Sequence, residues 1–345
     1  MLRWAESMAR DNTMSYEGRV LPTTVADASE QSVLERKFTS TTAKLLKHSD
    51  RFGEWAKGVF MPISLQIAPT DKCNLACEFC SVGNRAGDEL EREAVKTAIS
   101  KLAIMGLMTV EFTGGGDPTL YDGLPDLINH ADNLGLGIGL ITNGLALADK
   151  IDQHHLDMFD WVRISMNVLD AVDDITIPVF SNQVKSTTLG FSYVINRRTE
   201  MATIQKVIDK MDEYSVAYLR AVPNCLSVET IAQSKQMVAS MGLLEHPRVF
   251  WQEKHYDVPQ HCRVGYLKPF LNADGYFYHC SANPLISRKF NPSFRMGRID
   301  AIKSIWRSPY TPFSTDICQG GKCFFKEHND FLDMFEMEIA HRDFV

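Results

Sequence analysis

Between Ile63 and about residue 245, short apolar runs alternate with longer segments of helical period, and this alternation restricts the fold more than any other feature. The runs Ile63–Ala68, Thr109–Thr113, Gly137–Ile141, Trp161–Ser165, Gly190–Ile195 and Tyr218–Val222 read as strands. Segments near 91–105, 122–134, 147–158, 171–185, 200–214 and 228–241 have the spacing of helices. Strand–helix units in series give a parallel sheet with right-handed crossovers. Six units are too few to close an eight-stranded barrel, so the expected α/β architecture is an open, partial (β/α)6 TIM barrel. Functional residues then gather at the C-terminal ends of its strands.

The first of those strand ends carries Cys73-Asn74-Leu75-Ala76-Cys77-Glu78-Phe79-Cys80, three thiols within eight residues. Three soft thiolates from one loop can ligate three irons of a [4Fe–4S] cube and leave the fourth iron open to a small molecule. A structural zinc loop is the alternative, but zinc needs a fourth ligand nearby, and the next thiol is Cys225. Eight cysteines without an export-type apolar segment read as metal ligands in a reducing, cytoplasmic setting rather than as disulfides. The net charge of −7 argues against long-range attraction to nucleic acid or to an anionic membrane. No stretch is long and apolar enough to span a bilayer, so no membrane partner is expected.

With the aromatic Phe79 before the last cysteine, Cys73, Cys77 and Cys80 resemble the signature of the radical S-adenosylmethionine (SAM) enzymes. The resemblance implies a cluster whose open iron chelates SAM, and one-electron cleavage of SAM to methionine and a 5′-deoxyadenosyl radical. It also places Phe79 near the adenine. It covers about residues 60–325 and implies the partial barrel. Glu111-Phe112-Thr113-Gly114-Gly115-Gly116-Asp117-Pro118 is similar to the family's Gly-Gly-Glu-Pro motif, with Asp117 where Glu is usual. Gly114, Gly115 and Gly116 let backbone approach a ligand closely, here the methionine part of SAM. Leu140-Ile141-Thr142-Asn143-Gly144 resembles the family's third strand end, where Asn143 would tighten a loop lining the pocket. Ser165 and Asn167 would bind the ribose from one side of an extended segment. Asn196 would meet the adenine, and Arg220 a carboxylate or a structural ion-pair partner. Cys225, past the sixth strand, is a candidate hydrogen-atom donor, or simply a buried free cysteine.

A second cysteine set lies toward the C-terminus: Cys262, then Gly275, Cys280, Cys318 and Cys323. The stretch between the first two thiols reads as a β-hairpin turning at Asp274-Gly275, which returns Cys280 beside Cys262. Four thiolates suit a structural zinc or a fully ligated cluster alike. The spacing C-x12-G-x4-C followed by a final pair resembles the twitch module, the short form of the SPASM domain, which implies an auxiliary [4Fe–4S] cluster. Met296-Gly297-Arg298-Ile299-Asp300 resembles the segment that follows the hairpin there, whereas the four-residue step from Cys318 to Cys323 is wider than the family's usual spacing.

The expected organisation is an N-terminal extension over 1–60 with an amphipathic helix at 41–58, a radical SAM core over 61–250, and a twitch/SPASM-like domain with a C-terminal helix over 251–345. The functional expectation is a radical SAM oxidoreductase acting on a small molecule, sugar- or nucleotide-like, with the auxiliary cluster taking the second electron. A small molecule is preferred to a peptide because residues 1–60 are too short and polar for a winged-helix peptide-binding domain. A peptide maturase and a nucleobase-modifying enzyme are the alternatives, and a non-catalytic iron–sulfur or zinc protein is the contrasting class. The resemblance also implies a reductant such as flavodoxin or ferredoxin.

Overall fold

The computed structural model describes residues 27–80, 82, 85–181, 186–224, 228–252, 258–282, 292–306, 313–315, 318, 323, 325–338 and 340. Strands β1 (Ser64–Ile67), β2 (Thr109–Phe112), β3 (Gly137–Thr142), β4 (Trp161–Ser165), β5 (Thr188–Ile195), β6 (Tyr218–Pro223) and β7 (Val249–Trp251) pair in sequence order, each parallel to the next. The sheet does not close on itself, as expected of a partial barrel. β7 is a strand that the pattern of apolar runs does not reveal, because three residues are too few to show a period.

The sheet also continues past β1. After β8 (His261–Cys262), β9 (Phe270–Leu271) lies parallel to β1, and β10 (Tyr276–Tyr278) and β11 (Arg295–Arg298) follow antiparallel. The turn at Asp274-Gly275 is where the sequence places it, with Gly275 at φ +80°. Backbone bonds from Gln66 N to Pro269 O (3.0 Å) and Ala68 N to Leu271 O (2.8 Å) join this segment to β1. β8 pairs separately with β12 (Phe313–Ser314).

Helices form where caps and apolar spacing agree. The Glu91 side chain accepts from the backbone N–H groups of Glu93 and Ala94 at the start of helix Arg92–Ile104, filling two otherwise unpaired donors. Val95, Ala98, Ile99 and Leu102 then fall on one buried stripe. Helices Leu124–Asn133, Met201–Glu213 and Val228–Ser240 match the expected segments. The helix expected over 171–185 is not found among the described residues; a 3-10 turn at Met166–Asp170 leads into irregular chain. Thr176-Ile177-Pro178-Val179 explains this, since three β-branched residues flank a proline that cannot donate to a helix. The helix expected at 41–58 is broken into Thr42–Leu45, a 3-10 segment Leu46–Arg51 and Phe52–Trp55, with His48 outside helical dihedrals.

Paired residues of neighbouring strands face the same side, so register sorts the barrel into two surfaces. Leu65, Val110, Ile138, Val162, Leu189 and Leu219 face the helices, none more than 7% exposed. The opposite, inner side carries Gln66, Glu111, Arg163, Ser165, Ser192 and Arg220. Gly139 and Gly190 sit on that side because a Cβ there would lie 2.4 Å from the Trp161 ring and 2.2 Å from the Tyr218 ring. Phe38, ending helix Asp27–Phe38, stacks on Tyr218 at 4.4 Å and covers the start of β6.

Trp55 joins the two ends of the chain: it is fully buried, 6.3 Å from Phe60 and edge-on to Phe335 at 5.5 Å. Helix Lys326–Asp333 is held beside it by Arg263, whose guanidinium pairs with Asp333 and Glu336. No helix among the described residues is long and apolar enough to cross a membrane. Trp55→Ala is expected to cost about 3–5 kcal/mol of stability, the usual range for truncating a buried aromatic, read as a lower urea midpoint by circular dichroism.

Candidate iron–sulfur and cofactor site

The cysteine loop leaves β1 and is pinned at once by the glycine run after β2. Gly116 N donates to Thr70 O (3.1 Å) and Asp117 N to Lys72 O (2.8 Å). A Cβ on Gly116 would lie 1.9 Å from Lys72 O, so only glycine permits this approach. Cys80 N closes a turn on Cys77 O at 3.0 Å. The three thiols share one neighbourhood: burial pushes the Cys77 thiol up, and Cys80 and Cys73 add to it. Arg85 reaches back across the loop, with Nη1 on Leu75 O (2.9 Å), Nε on Gly115 O (3.3 Å) and Nη2 at 3.5 Å from Cys80 Sγ. Its charge favours the thiolate that a metal needs. Three coupled thiols beside a guanidinium fit an iron–sulfur cube ligated at three corners. Among the described residues, no group of three His, Cys, Asp or Glu side chains is gathered tightly enough for a single metal ion.

Asp117, standing where the family's motif has Glu, bolts strand ends together. It is buried, and Oδ1 accepts from Thr119 N (3.0 Å) and Thr119 Oγ1 (2.6 Å). Thr142 Oγ1 bridges both carboxylate oxygens at 2.9 Å, and Asn143 N donates to Oδ2 at 2.6 Å. Its acceptors are therefore spent inside the protein, and with Gly115 buried and its carbonyl bonded to Arg85, the half-buried Gly114 is the part of the motif whose backbone is open to a ligand. Asn143 carries the connection onward: its Nδ2 donates to Asn74 Oδ1 at 2.7 Å and lies 3.8 Å from Cys73 Sγ.

Ser165 ends β4 half-buried, and its hydroxyl makes no hydrogen bond among the described residues. Asn167 does not share its side of an extended segment, because the chain enters the 3-10 turn at Met166. Instead Asn167 is 2% exposed and spans to β5, Nδ2 donating to Val194 O (2.9 Å) and Oδ1 accepting from Val194 N (2.7 Å). Asn196 is similarly engaged, donating to Val194 O (2.9 Å) and accepting from Arg198 N (2.8 Å).

Both amides also donate to Asp170 Oδ2, at 3.0 and 3.1 Å, while Tyr193 OH donates to Oδ1 at 2.5 Å. Burial, and then Asp170, push the Tyr193 phenol well up, so it stays a donor. Asp170 is near enough to raise the Cys77 thiol, which sets this hub beside the cysteine loop. Neither Asp170 nor Tyr193 belongs to a motif, and Arg85 is equally unmarked in sequence. Glu78, next to the half-buried Phe79, ion-pairs with Arg197 and Arg198 and straps the loop to the β5 end. Cys225 lies outside the described residues.

The second thiol set also converges. Cys262 on β8 is buried; burial raises its thiol well above the ordinary value, with Cys280, Cys323 and Cys318 all contributing. Cys318 is pushed up to about 11 by burial and then by Cys323. Phe325 N donates to Cys323 Sγ at 3.4 Å. His279 stacks on Phe313 at 4.1 Å, and burial lowers its imidazole to about 3, so it packs as a neutral ring.

Residues 67–216 match the family model described as the Radical SAM superfamily. The PqqA peptide cyclase of Xanthomonas euvesicatoria pv. vesicatoria is 29% identical over 153 residues, 43% of this chain and 41% of the relative. The PqqA peptide cyclase of Rhodopseudomonas palustris is 33% identical over 102 residues, 29% of this chain and 27% of the relative. The chain thus spans about two-fifths or less of these relatives' length. Among solved structures, Streptococcus suis SuiB bound to precursor peptide SuiA superposes with a TM-score of 0.49 at 14% identity, over 85% of this chain and 73% of SuiB. The expectation that a sugar- or nucleotide-like small molecule is preferred to a peptide is overturned here, because the curated relatives are peptide cyclases.

Replacing Gly116 by alanine is expected to drive its methyl into Lys72 O and displace the cysteine loop. Iron and sulfide bound after anaerobic reconstitution should fall by at least half, with helix content by circular dichroism preserved. The thiol triplet clamped behind the first of seven parallel strands lies within residues 67–216, the stretch that matches the Radical SAM superfamily.

Proposed function

We propose that this chain is a radical SAM enzyme that modifies a peptide. The observation that carries the peptide is the similarity to the PqqA peptide cyclases, over 153 residues in one and 102 in another. Cys73, Cys77 and Cys80 are the residues that would hold a [4Fe–4S] cluster, which when bound supplies the electron for SAM cleavage. Arg85 favours the Cys77 thiolate, and Gly114 offers backbone polar groups to the methionine end of SAM. The unengaged Ser165 hydroxyl is the ribose partner, and Phe79 lies on the adenine side of the loop. Asp117, Asn143, Asn167 and Asn196 act by position: they fix the four strand ends around that space through one another and Asp170. Cys262, Cys280, Cys318 and Cys323 would hold an auxiliary cluster beside β9–β11. The pocket must exclude water while a C–H bond is attacked, and the Glu78 strap to Arg197 and Arg198 serves that closure.

Anaerobic incubation with SAM and dithionite tests the assignment. The wild-type chain should release 5′-deoxyadenosine, and Cys73→Ala should release none above the protein-free control. Cys318→Ala should keep part of the cleavage and lose the modified product; undiminished turnover in both variants would refute the ligand sets. To test the substrate class, the enzyme is offered either the deuterated peptide fraction or the deuterated small-molecule fraction of its host. Deuterium should enter 5′-deoxyadenosine from the peptides, and label arriving only from the small molecules would overturn the peptide reading.

A further inference from the structure

Among the described residues, Arg163 on the inner face of the barrel lacks a hydrogen-bonded anion. Glu111 is 8% exposed, and its two oxygens are already taken, by Gln66 Nε2 at 2.6 Å and by Lys268 Nζ at 3.4 Å. Burial opposes its ionisation, yet Lys268 and then Arg163 hold its carboxyl below the ordinary range. Arg163 is also 8% exposed, but its guanidinium donates no hydrogen bond among the described residues, and its Nε is buried without a partner. Its guanidinium carbon lies 5.3 Å from the centre of the Trp161 ring. Arg220 stands on the same face, in register with Ser192, and Lys44 comes within electrostatic reach of Glu111 and Arg163 from the N-terminal segment. Glu111 thus faces Arg163, Lys268 and Lys44 together, and its oxygens are bonded to Gln66 and Lys268 rather than to Arg163. A buried guanidinium whose donors are unfilled is costly unless an anion arrives to fill them.

We propose that the inner face binds a carboxylate of the substrate peptide, with Arg163 as its anchor. The inference rests on the peptide reading above and names the chemistry of the group recognised. Arg163 precedes Ser165 by two residues on β4, so its Cα lies about 7 Å further from the strand ends. A ligand entering at the cysteine loop passes Ser165 before it meets Arg163. The planar guanidinium suits a carboxylate through paired N–H donors.

The probes are minimal residues added to the full-length, anaerobically reconstituted protein. N-acetylglutamate α-amide carries a side-chain carboxylate, N-acetylglutamine carries a terminal one, and N-acetylglutamine α-amide carries none. Affinity is read by saturation-transfer NMR. At least one acid should bind about tenfold or more tighter than the neutral amide, as a charge-assisted pair requires, and which acid wins identifies the source of the carboxylate. Arg163→Met should bring acid and amide within twofold of each other, and Glu111→Gln should tighten the acid by removing a like charge. Thermal melting shows whether either variant has unfolded, and the Glu111→Gln arm decides alone if Arg163→Met has. Equal affinity for acids and amide in the wild type would overturn the proposal. So would a preference that both variants leave unchanged, or one that saturating SAM abolishes, which would assign the site to the cofactor's own carboxylate. Deuterium transfer from peptides to 5′-deoxyadenosine in the wild type, measured in parallel, reports on the proposed function alone, so the two readings fail separately.

Discussion

Two backbones meet without a side chain between them where Gly116 passes Lys72, and the mouth of the barrel is built outward from that contact. The loop that carries the thiols has little regular structure and few buried apolar groups of its own. Its placement depends on carbonyls at Thr70 and Lys72 being captured by N–H groups at Gly116 and Asp117. The Asp117 carboxylate then passes the constraint sideways to Thr142 and Asn143, and Asn143 returns it to Asn74 beside the first cysteine. The result is a ring of hydrogen bonds among loops at three points, rigid because its inner members are shielded from water.

The two sides of the sheet divide the work. The helix-facing side is apolar and supplies stability by burial. The inner side gives up part of that gain to hold Glu111, Arg163 and Arg220, and it uses glycines at 139 and 190 so that two aromatic rings can lie flat across neighbouring strands. A parallel sheet is normally apolar on both sides. A polar inner side is thus the part of the fold shaped for a ligand rather than for folding.

Sequence made visible what is local. Cys73, Cys77 and Cys80 lie within eight residues, and the glycine run follows a strand, so spacing alone brings them into view. Asn167 escapes the strand alternation because it stands two residues past Ser165, inside a turn that begins at Met166. Asp170, Tyr193 and Arg85 were invisible because each matters only through residues distant in sequence: Tyr193 meets Asp170 across 23 positions, and Arg85 meets Gly115 across 30. The substrate class is not legible in any one segment: the length and polarity of residues 1–60 point to a small molecule, whereas the relatives reported above are peptide cyclases.

β1 has two neighbours, and they come from opposite ends of the sequence: β2 on one side and β9, more than two hundred residues downstream, on the other. The hydrogen bond from Ala68 to Leu271 is made just before the chain departs for its thiols. A shortened protein lacking the hairpin would leave one flank of β1 wet and its amides unpaired at the very root of that departure. The C-terminal segment is in this sense a splint for the first strand, and whatever it carries is wired mechanically, as well as by proximity, to the opposite end of the molecule's chemistry.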